Sequence, residues 1–287
     1  MQEILHQIRL VKTLSPFYTY ADYRKGRKMR PKLIIVGAAG RMGRRISVLA
    51  VESKKFDIIG LIEDKSCPQI GKDLEHIGIK ISSEFPSDAN VVIDFSLPAA
   101  FDNTLNYCLE QNCSLVLGTT GLSAEQLKKV DEAAKKIPVI QATNMSVGMN
   151  LLFELVGQVA GKLGDEYDIE IVEAHHRFKK DSPSGSAMTL AEKIAAATNK
   201  KFPDCLDIGR KGKEALRKKG TIGIQAIRLG DTVGEHSVMF GTLGETVTVS
   251  HSAHSRDTFA VGAIRAASWL VGKNAGRYSM ADVLGLK

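Results

Sequence analysis

Nowhere in the 287 residues does an apolar run approach the roughly 18 residues that a membrane span requires, and the N-terminus lacks a signal peptide's hydrophobic stretch. Cysteine is sparse. Cys67, Cys108, Cys113 and Cys205 form no Cys-x-x-Cys pair and no metal-ligand spacing, which argues against a zinc module and for free thiols in a reducing compartment. Internal repeats and low-complexity tracts are lacking too. These absences leave a cytoplasmic, enzyme-like globular protein with no membrane partner and no metal, long enough for two domains and a substantial core.

The net charge is +7, but residues 1–30 hold seven basic and two acidic side chains, a balance of +5, so the rest of the chain carries only +2. The basic pI therefore reflects the leading segment and is no argument for a nucleic-acid partner. Residues 1–30 have no clear period and are expected to be a tail outside the fold. Met29 stands immediately before the first strand and is a second candidate start, and deleting residues 1–29 is expected to leave catalysis intact.

Past the tail, strands and helices alternate. Pro31–Val36 is a short apolar run suited to a central parallel strand. It leads into Gly37-Ala-Ala-Gly40-Arg-Met-Gly43 and a helical stretch from Arg44 to about Ser53. A second strand, Asp57–Ile62, ends at Glu63. Strand, glycines, helix, strand and acid fall in the register of a dinucleotide fingerprint. There the glycines admit a tight turn and a close pyrophosphate, and the acid accepts from ribose hydroxyls. Further strands at Asn90–Phe95, Ser114–Leu117 and Pro138–Gln141 alternate with helices at Pro98–Gln111 and Ala124–Lys136. This pattern predicts a doubly wound parallel sheet, Rossmann-like, with its ligand at the carboxyl ends of the strands. The loops Gly37–Gly43, Gly118–Gly121 and Ala142–Ser146 are expected to converge on one cofactor.

After Asn150 the pattern changes. A helix is expected over Leu151–Leu163, a half-buried strand over Tyr167–Val172 and a helix over Met188–Ala197. Lys200–Lys219 reads as a long surface loop. Closely spaced strands at Ile222–Leu229, Glu235–Phe240 and Glu245–His251 imply a second α+β domain carrying a mixed sheet. A last helix, Thr258–Val271, is expected to return to the first sheet. The expected division is tail 1–30, dinucleotide-binding domain 31–146, substrate-binding and oligomerisation domain 147–255, and return segment 256–287.

The densest chemistry lies in Glu173-Ala-His-His-Arg-Phe-Lys-Lys-Asp-Ser-Pro-Ser-Gly-Ser-Ala187. A nicotinamide cofactor delivers a hydride but no proton, so reduction of a carbon–carbon or carbon–nitrogen double bond needs a proton donor nearby. His175, His176 and Lys179 are the candidates, and Ser184-Gly-Ser186 at a helix start suits an anion. A metal held by the two histidines lacks a third ligand, and Lys179 and Lys180 would repel it.

This stretch closely resembles the signature of the 4-hydroxy-tetrahydrodipicolinate reductase (dihydrodipicolinate reductase) family of lysine and diaminopimelate biosynthesis. Val36–Gly43, Gly118-Thr-Thr-Gly121, Ala142–Gly148 and Gly234-Glu-His236 agree with it, and the resemblance covers about residues 31–287. It implies hydride transfer from NADH or NADPH to a cyclic dicarboxylate imine, with loss of water. By the resemblance, His175 is the proton donor/acceptor and Lys179 the proton donor, while His176 contacts substrate and Gly185 and Ser186 hold a carboxylate. Gly37, Ala38, Ala39, Gly40, Arg41, Met42 and Glu63 would contact the cofactor, as would Gly118, Thr119 and Thr120, and Ala142, Thr143, Asn144 and Met145. A homotetramer assembled through the second domain's sheet is implied as well.

Three positions depart from the family's usual residues. Ser186 stands for threonine with its hydroxyl kept. Met145 replaces a frequent phenylalanine. Asp64 follows Glu63 where some relatives have arginine, and two adjacent acids should repel the 2′-phosphate of NADPH, so NADH is the expected cofactor. The competing readings are another two-domain NAD(P)-dependent oxidoreductase, such as an amino-acid dehydrogenase, and a non-catalytic dinucleotide sensor. The sensor reading predicts loss of the proton-transfer residues, which are present.

Overall fold

The computed structural model describes residues 29–286, so the expectation for the basic tail lies outside the described residues except at Met29 and Arg30. The elements begin with β1 (Lys32–Val36), α1 (Arg41–Ser53), β2 (Asp57–Ile62), β3 (Ile81–Ser82), β4 (Val91–Asp94), α2 (Phe101–Glu110), β5 (Ser114–Leu117), α3 (Ala124–Ala134) and β6 (Pro138–Gln141). They continue with α4 (Val147–Leu163), β7 (Asp168–His175), α5 (Gly185–Ala197), β8 (Leu206–Ile208), β9 (Ile222–Arg228), β10 (Gly234–Thr242) and β11 (Glu245–Ala253). The chain closes with α6 (Asp257–Leu270), β12 (Gly276–Tyr278) and α7 (Met280–Leu284). Among the described residues no helix is long and apolar enough to cross a membrane.

Two compact units result. Among the described residues, one holds 29–141 with Ala263–Tyr278; the other holds Ala142–Gly262 and 279–286. The first unit is built on a seven-stranded sheet in the order β12-β6-β5-β4-β1-β2-β3, parallel throughout. Every residue of β4 and β5 is buried, as a parallel strand covered on both faces requires. Ile34, Val92, Leu115 and Val139 from the sheet pack with Phe101, Leu105 and Val130 from its helices. The expected doubly wound sheet is present, widened by β3 and β12, which the sequence reading did not include.

The second unit has a five-stranded mixed sheet in the order β11-β10-β7-β9-β8, with β10 antiparallel to both neighbours and β7, β8 and β9 parallel. One face packs Ile169, Ile171, Val238 and Phe240 against Phe153 and Val156 of α4 and Leu190 and Ile194 of α5. The expected surface loop over Lys200–Lys219 is corrected here. It contains β8, and its arginines clasp Glu170 of β7: Arg210 Nη2 donates to Oε2 at 2.8 Å and Arg217 Nε to Oε1 at 3.1 Å. The polar composition that suggested a loop instead serves ion pairs over the sheet.

α4 and α5 start earlier than the sequence periodicity suggested, because the side chains of Ser146 and Ser184 cap them: Ser146 Oγ accepts from Met149 N–H, and Ser184 Oγ from Ala187 N–H. β7 likewise runs on past Val172 to His175, so the first histidine closes a strand rather than opening a loop.

Candidate active site

In the first unit the predicted cofactor residues lie at the carboxyl ends of the adjacent strands β2, β1, β4 and β5. Gly37 has φ +77°, and a Cβ there would sit 2.7 Å from the Phe95 carbonyl oxygen, so only glycine fits. Gly43 is equally constrained, since its Cβ would come within 2.1 Å of the Gly37 carbonyl oxygen. Gly40 caps α1 without any side-chain hydrogen bond, and no acid stands in the first turn. The N–H groups of that turn are thus left for an anion. Glu63 does not hang free: its Oε1 accepts from the N–H of Ala39 at 2.7 Å, while Arg44 Nε donates to the Ala39 carbonyl at 2.9 Å. A close-packed glycine turn, an uncapped helix start and a carboxylate beside it fit a dinucleotide.

Two residues that the sequence reading passed over tie this region together. Asp94 closes β4 and Phe95 follows it directly. The Asp94 carbonyl accepts from Gly118 N–H at 2.8 Å and its buried Oδ1 from the Thr119 hydroxyl at 3.0 Å. The Phe95 carbonyl lies against Gly37 and its ring against Gly118, so Gly37 and the Gly118-Thr119-Thr120 turn share one support.

The remaining predicted cofactor residues, Ala142, Thr143, Asn144 and Met145, belong to the second unit. Asn144 Nδ2 donates to the hydroxyl of Ser186 at 3.0 Å, its Oδ1 accepts from Ser146 N–H at 2.8 Å, and Thr143 and Thr189 hydroxyls lie 3.3 Å apart. Met145 is buried, with its carbonyl oxygen against Gly262. This turn is therefore fastened to the first turn of α5, which carries the predicted substrate residues.

Those substrate residues are held by β7, the loop after it and the start of α5. Glu173 is 0% exposed and accepts from Arg228 Nη1 at 2.8 Å, Arg228 Nη2 at 2.9 Å and Ser184 N–H at 3.0 Å, with His175 Nδ1 2.6 Å from its Oε2. Burial alone raises the Glu173 pKa, but the hydrogen bonds from His175, Arg228 and Ser184 outweigh it and hold the carboxyl down at about 2. His175 is buried, and the buried His236 ring meets it edge-on at 5.1 Å between centroids. Burial, with the charge of His175 next, pushes His236 down to about 3, so at neutral pH it is an uncharged ring whose Nε2 lies 3.3 Å from Ser184 Oγ.

His176 is half-buried, 6.4 Å in ring separation from the exposed Phe178. Lys179 Nζ lies 2.9 Å from Asp181 Oδ1. Desolvation raises the Asp181 pKa, yet the hydrogen bond from Lys179 brings it below the ordinary value. Gly185 is exposed at the first position of α5, and the buried Ser186 follows. Their N–H groups have no acceptor within the helix. An imidazole, an ammonium and a helix start with free N–H groups thus belong to one unit.

Comparison with known proteins agrees with this geometry. The family models described as dihydrodipicolinate reductase, N-terminus and C-terminus, match residues 31–145 and 148–284. The 4-hydroxy-tetrahydrodipicolinate reductase of Syntrophus aciditrophicus is 42% identical over 265 residues, covering 89% of this chain and 99% of that protein. The protein of the same name from Acinetobacter baumannii (strain AYE) is 44% identical over 265 residues, covering 89% and 97%. Among solved structures, dipicolinate-bound dihydrodipicolinate reductase from Paenisporosarcina sp. TG-14 shares the fold with a TM-score of 0.66 at 22% identity, covering 88% of this chain and 99% of that one. An amine dehydrogenase from Mycobacterium smegmatis shares it with a TM-score of 0.59 at 12% identity, covering 87% and 95%. The fold alone is therefore common to different chemistries. It is the two family models, which together span both units, and the relatives above 40% identity along nearly their whole length that place this chain in the dihydrodipicolinate reductase family.

Proposed function

We propose that the chain reduces 4-hydroxy-tetrahydrodipicolinate to tetrahydrodipicolinate with NADH or NADPH, a step of lysine and diaminopimelate biosynthesis. The observation that carries this reading is the Glu173–His175 pair beside the start of α5, in a chain whose relatives bear that activity in their names. Family membership does not favour an amino-acid dehydrogenase or a non-catalytic sensor. Four free cysteines suit action in the cytoplasm.

The nicotinamide dinucleotide supplies the hydride when bound. The chain's own residues supply everything else. The first turn of α1 offers N–H groups to the pyrophosphate, and Glu63 offers its second oxygen to a ribose hydroxyl. Gly118, Thr119 and Thr120, with Ala142 to Met145, are further contacts to the dinucleotide. Gly185 and Ser186 hold a substrate carboxylate through N–H groups and a hydroxyl, and His176 lies against the substrate. Loss of water takes a proton from the ring carbon beside the hydroxyl and adds one to the departing oxygen, and the ring that accepts the hydride must then take up a proton. His175, acting as donor and acceptor, and Lys179, as donor, carry these transfers.

NADH is the preferred donor in this reading. Glu63 already spends one oxygen on Ala39, and Asp64 Oδ1 accepts from both the N–H and the hydroxyl of Ser66 at 2.8 and 2.6 Å. Hydrogen bonds from Ser66 keep Asp64 below the ordinary carboxylate range, so two anions confront any 2′-phosphate. The chain also assembles as a homotetramer through the second unit's sheet, where Val247 of β11 is 37% exposed.

A coupled assay that generates the cyclic imine enzymatically and follows nicotinamide absorbance tests the reading. His175→Gln and Lys179→Ala should each lower kcat by about 10²-fold or more with cofactor affinity nearly unchanged. Near-normal turnover in both would overturn the assigned roles.

A further inference from the structure

We propose that Glu173 and Arg228 form a positioning pair that keeps the proton of His175 on Nδ1, making Nε2 the atom that exchanges a proton with substrate. The proposal rests on the reading of His175 as the proton donor/acceptor and adds what sets its chemistry.

The geometry leaves one arrangement. Each oxygen of the Glu173 carboxylate meets two donors. Oε1 takes Ser184 N–H at 3.0 Å and Arg228 Nη2 at 2.9 Å; Oε2 takes Arg228 Nη1 at 2.8 Å and faces His175 Nδ1 at 2.6 Å. A carboxylate only accepts, so the proton between Glu173 and His175 belongs to the imidazole. With Nδ1 so engaged, neutral His175 carries its lone pair on Nε2. A buried carboxylate would by itself take up a proton, and that would reverse the assignment. Here the hydrogen bonds from His175, Arg228 and Ser184 outweigh burial, and the group stays ionised down to about pH 2.

Several elements converge on the pair. The parallel register of β7 and β9 sets Arg228 opposite His175 and Ala226 opposite Glu173, so the guanidinium reaches back along the sheet to the carboxylate. The fork also donates from Nη2 to the Asp181 carbonyl at 2.7 Å, fastening the loop that carries Lys179. From β10, the uncharged His236 meets the His175 ring edge-on and fixes its rotation. The groups around Glu173 are therefore His175 on its own strand, Arg228 from β9, His236 from β10, and Ser184 from the segment between β7 and α5. This resembles in logic, though not in fold, the carboxylate that orients a catalytic histidine in hydrolases.

The test is Glu173→Gln in the full-length protein, with nitrogen-15 NMR of labelled histidine beside steady-state kinetics. An amide nitrogen in place of Oε1 would meet Ser184 N–H and Arg228 Nη2, neither able to accept, so the amide takes the place of Oε2, where His175 Nδ1 can turn acceptor. In place of Oε2 it forces His175 Nδ1 to accept and drives the proton to Nε2. The expected result is a fall in kcat of about 10²-fold or more, with NADH affinity unchanged and the His175 proton moved from Nδ1 to Nε2. A second variant, Arg228→Gln, removes the fork but not the carboxylate. Protonation of Glu173 then moves up in pH, and the acid limb of kcat/KM follows it upward. Wild-type turnover in Glu173→Gln, a proton still on Nδ1 in that variant, or an unshifted acid limb in folded Arg228→Gln would each overturn the pairing. A His175→Gln variant separates the two ideas. Near-normal turnover there sinks the role of His175 itself, whereas a strong loss with an unmoved proton in Glu173→Gln sinks the positioning pair alone.

Discussion

Asn144 donates from Nδ2 to the hydroxyl oxygen of Ser186 at 3.0 Å, which joins the turn after β6 to the first turn of α5. A hydroxyl oxygen that accepts from an amide has its own proton free to donate, so the contact with Asn144 leaves the Ser186 hydroxyl able to serve the carboxylate proposed for it. Asn144 is itself held, because its carbonyl accepts from Asn150 Nδ2 at 2.8 Å and its Oδ1 from Ser146 N–H. Ser186→Ala removes the donor and should raise KM for the cyclic imine by roughly tenfold while kcat changes less, the size expected of one hydrogen bond to a charged group. Ser186→Thr keeps the hydroxyl and should restore KM. A KM unaltered in Ser186→Ala would show that the hydroxyl does not meet the substrate.

Gly37 governs the other unit in the same way. Its φ of +77° costs a residue with a Cβ roughly 1–2 kcal/mol, and the added carbon would press on the Phe95 carbonyl at 2.7 Å. Phe95 also supports Gly118 through its ring, so the strain spreads to the Gly118-Thr119-Thr120 turn. Gly37→Ala should lower the thermal midpoint by several degrees, on the order of 1–2 kcal/mol of stability or more, and weaken NADH binding at temperatures where the protein is still folded. Calorimetry and a fluorescence titration check the two effects. Unchanged NADH affinity would mean that the glycine serves stability alone.

Much of this architecture is legible in the residues, and the exceptions have physical reasons. β4 and β5 announce themselves because buried parallel strands are continuous apolar runs. β3, β8 and β12 have only two or three residues each, too few to show a period. They exist because a neighbouring strand offers a free edge. Val147-Gly148 and Gly185 conceal the starts of α4 and α5 behind weak helix formers, although Ser146 and Ser184 were available as capping signals. At the site, everything within Glu173–Ala187 is close in sequence and could be read as a cluster. Arg228 and His236 could not be placed, because their approach to Glu173 and His175 depends on the register of β9 and β10 against β7. Glu173 stood in the motif, but its role emerges only with the arginine beside it.

The proposed preference for NADH turns on Asp64. Its carboxylate is held by Ser66 next to Glu63, where a 2′-phosphate would need a cation. Asp64→Arg reverses the local charge and supplies a fork suited to phosphate. The ratio of kcat/KM for NADPH to that for NADH should rise by about tenfold or more, the size of one charge-assisted hydrogen bond. Parallel assays with both cofactors on wild type and variant decide it, and a wild-type enzyme that already prefers NADPH would refute the role given to the two acids.

The buried ionisable groups of the second unit make its stability depend on pH. His236 titrates near 3 in the folded chain because burial, and after it the charge of His175, disfavours its protonated form, against an ordinary 6.5. Between those values the unfolded chain binds a proton that the folded one does not, so stability is lost as pH falls from about 6.5. His251, also lowered first by burial, acts in the same direction below its ordinary 6.5. Glu173, held at about 2 against an ordinary 4.5 by bonds that outweigh its burial, acts in the same direction between those two values. Each such group contributes a slope of about 1.4 kcal/mol per pH unit within its window. Urea unfolding at successive pH values should show stability falling steadily from pH 6.5 to below 4. His236→Gln, which cannot titrate, should reduce the slope between 6.5 and 4.5 and leave the Glu173 portion below 4.5 in place. An identical slope in variant and wild type would mean that His236 is not held uncharged in the folded protein.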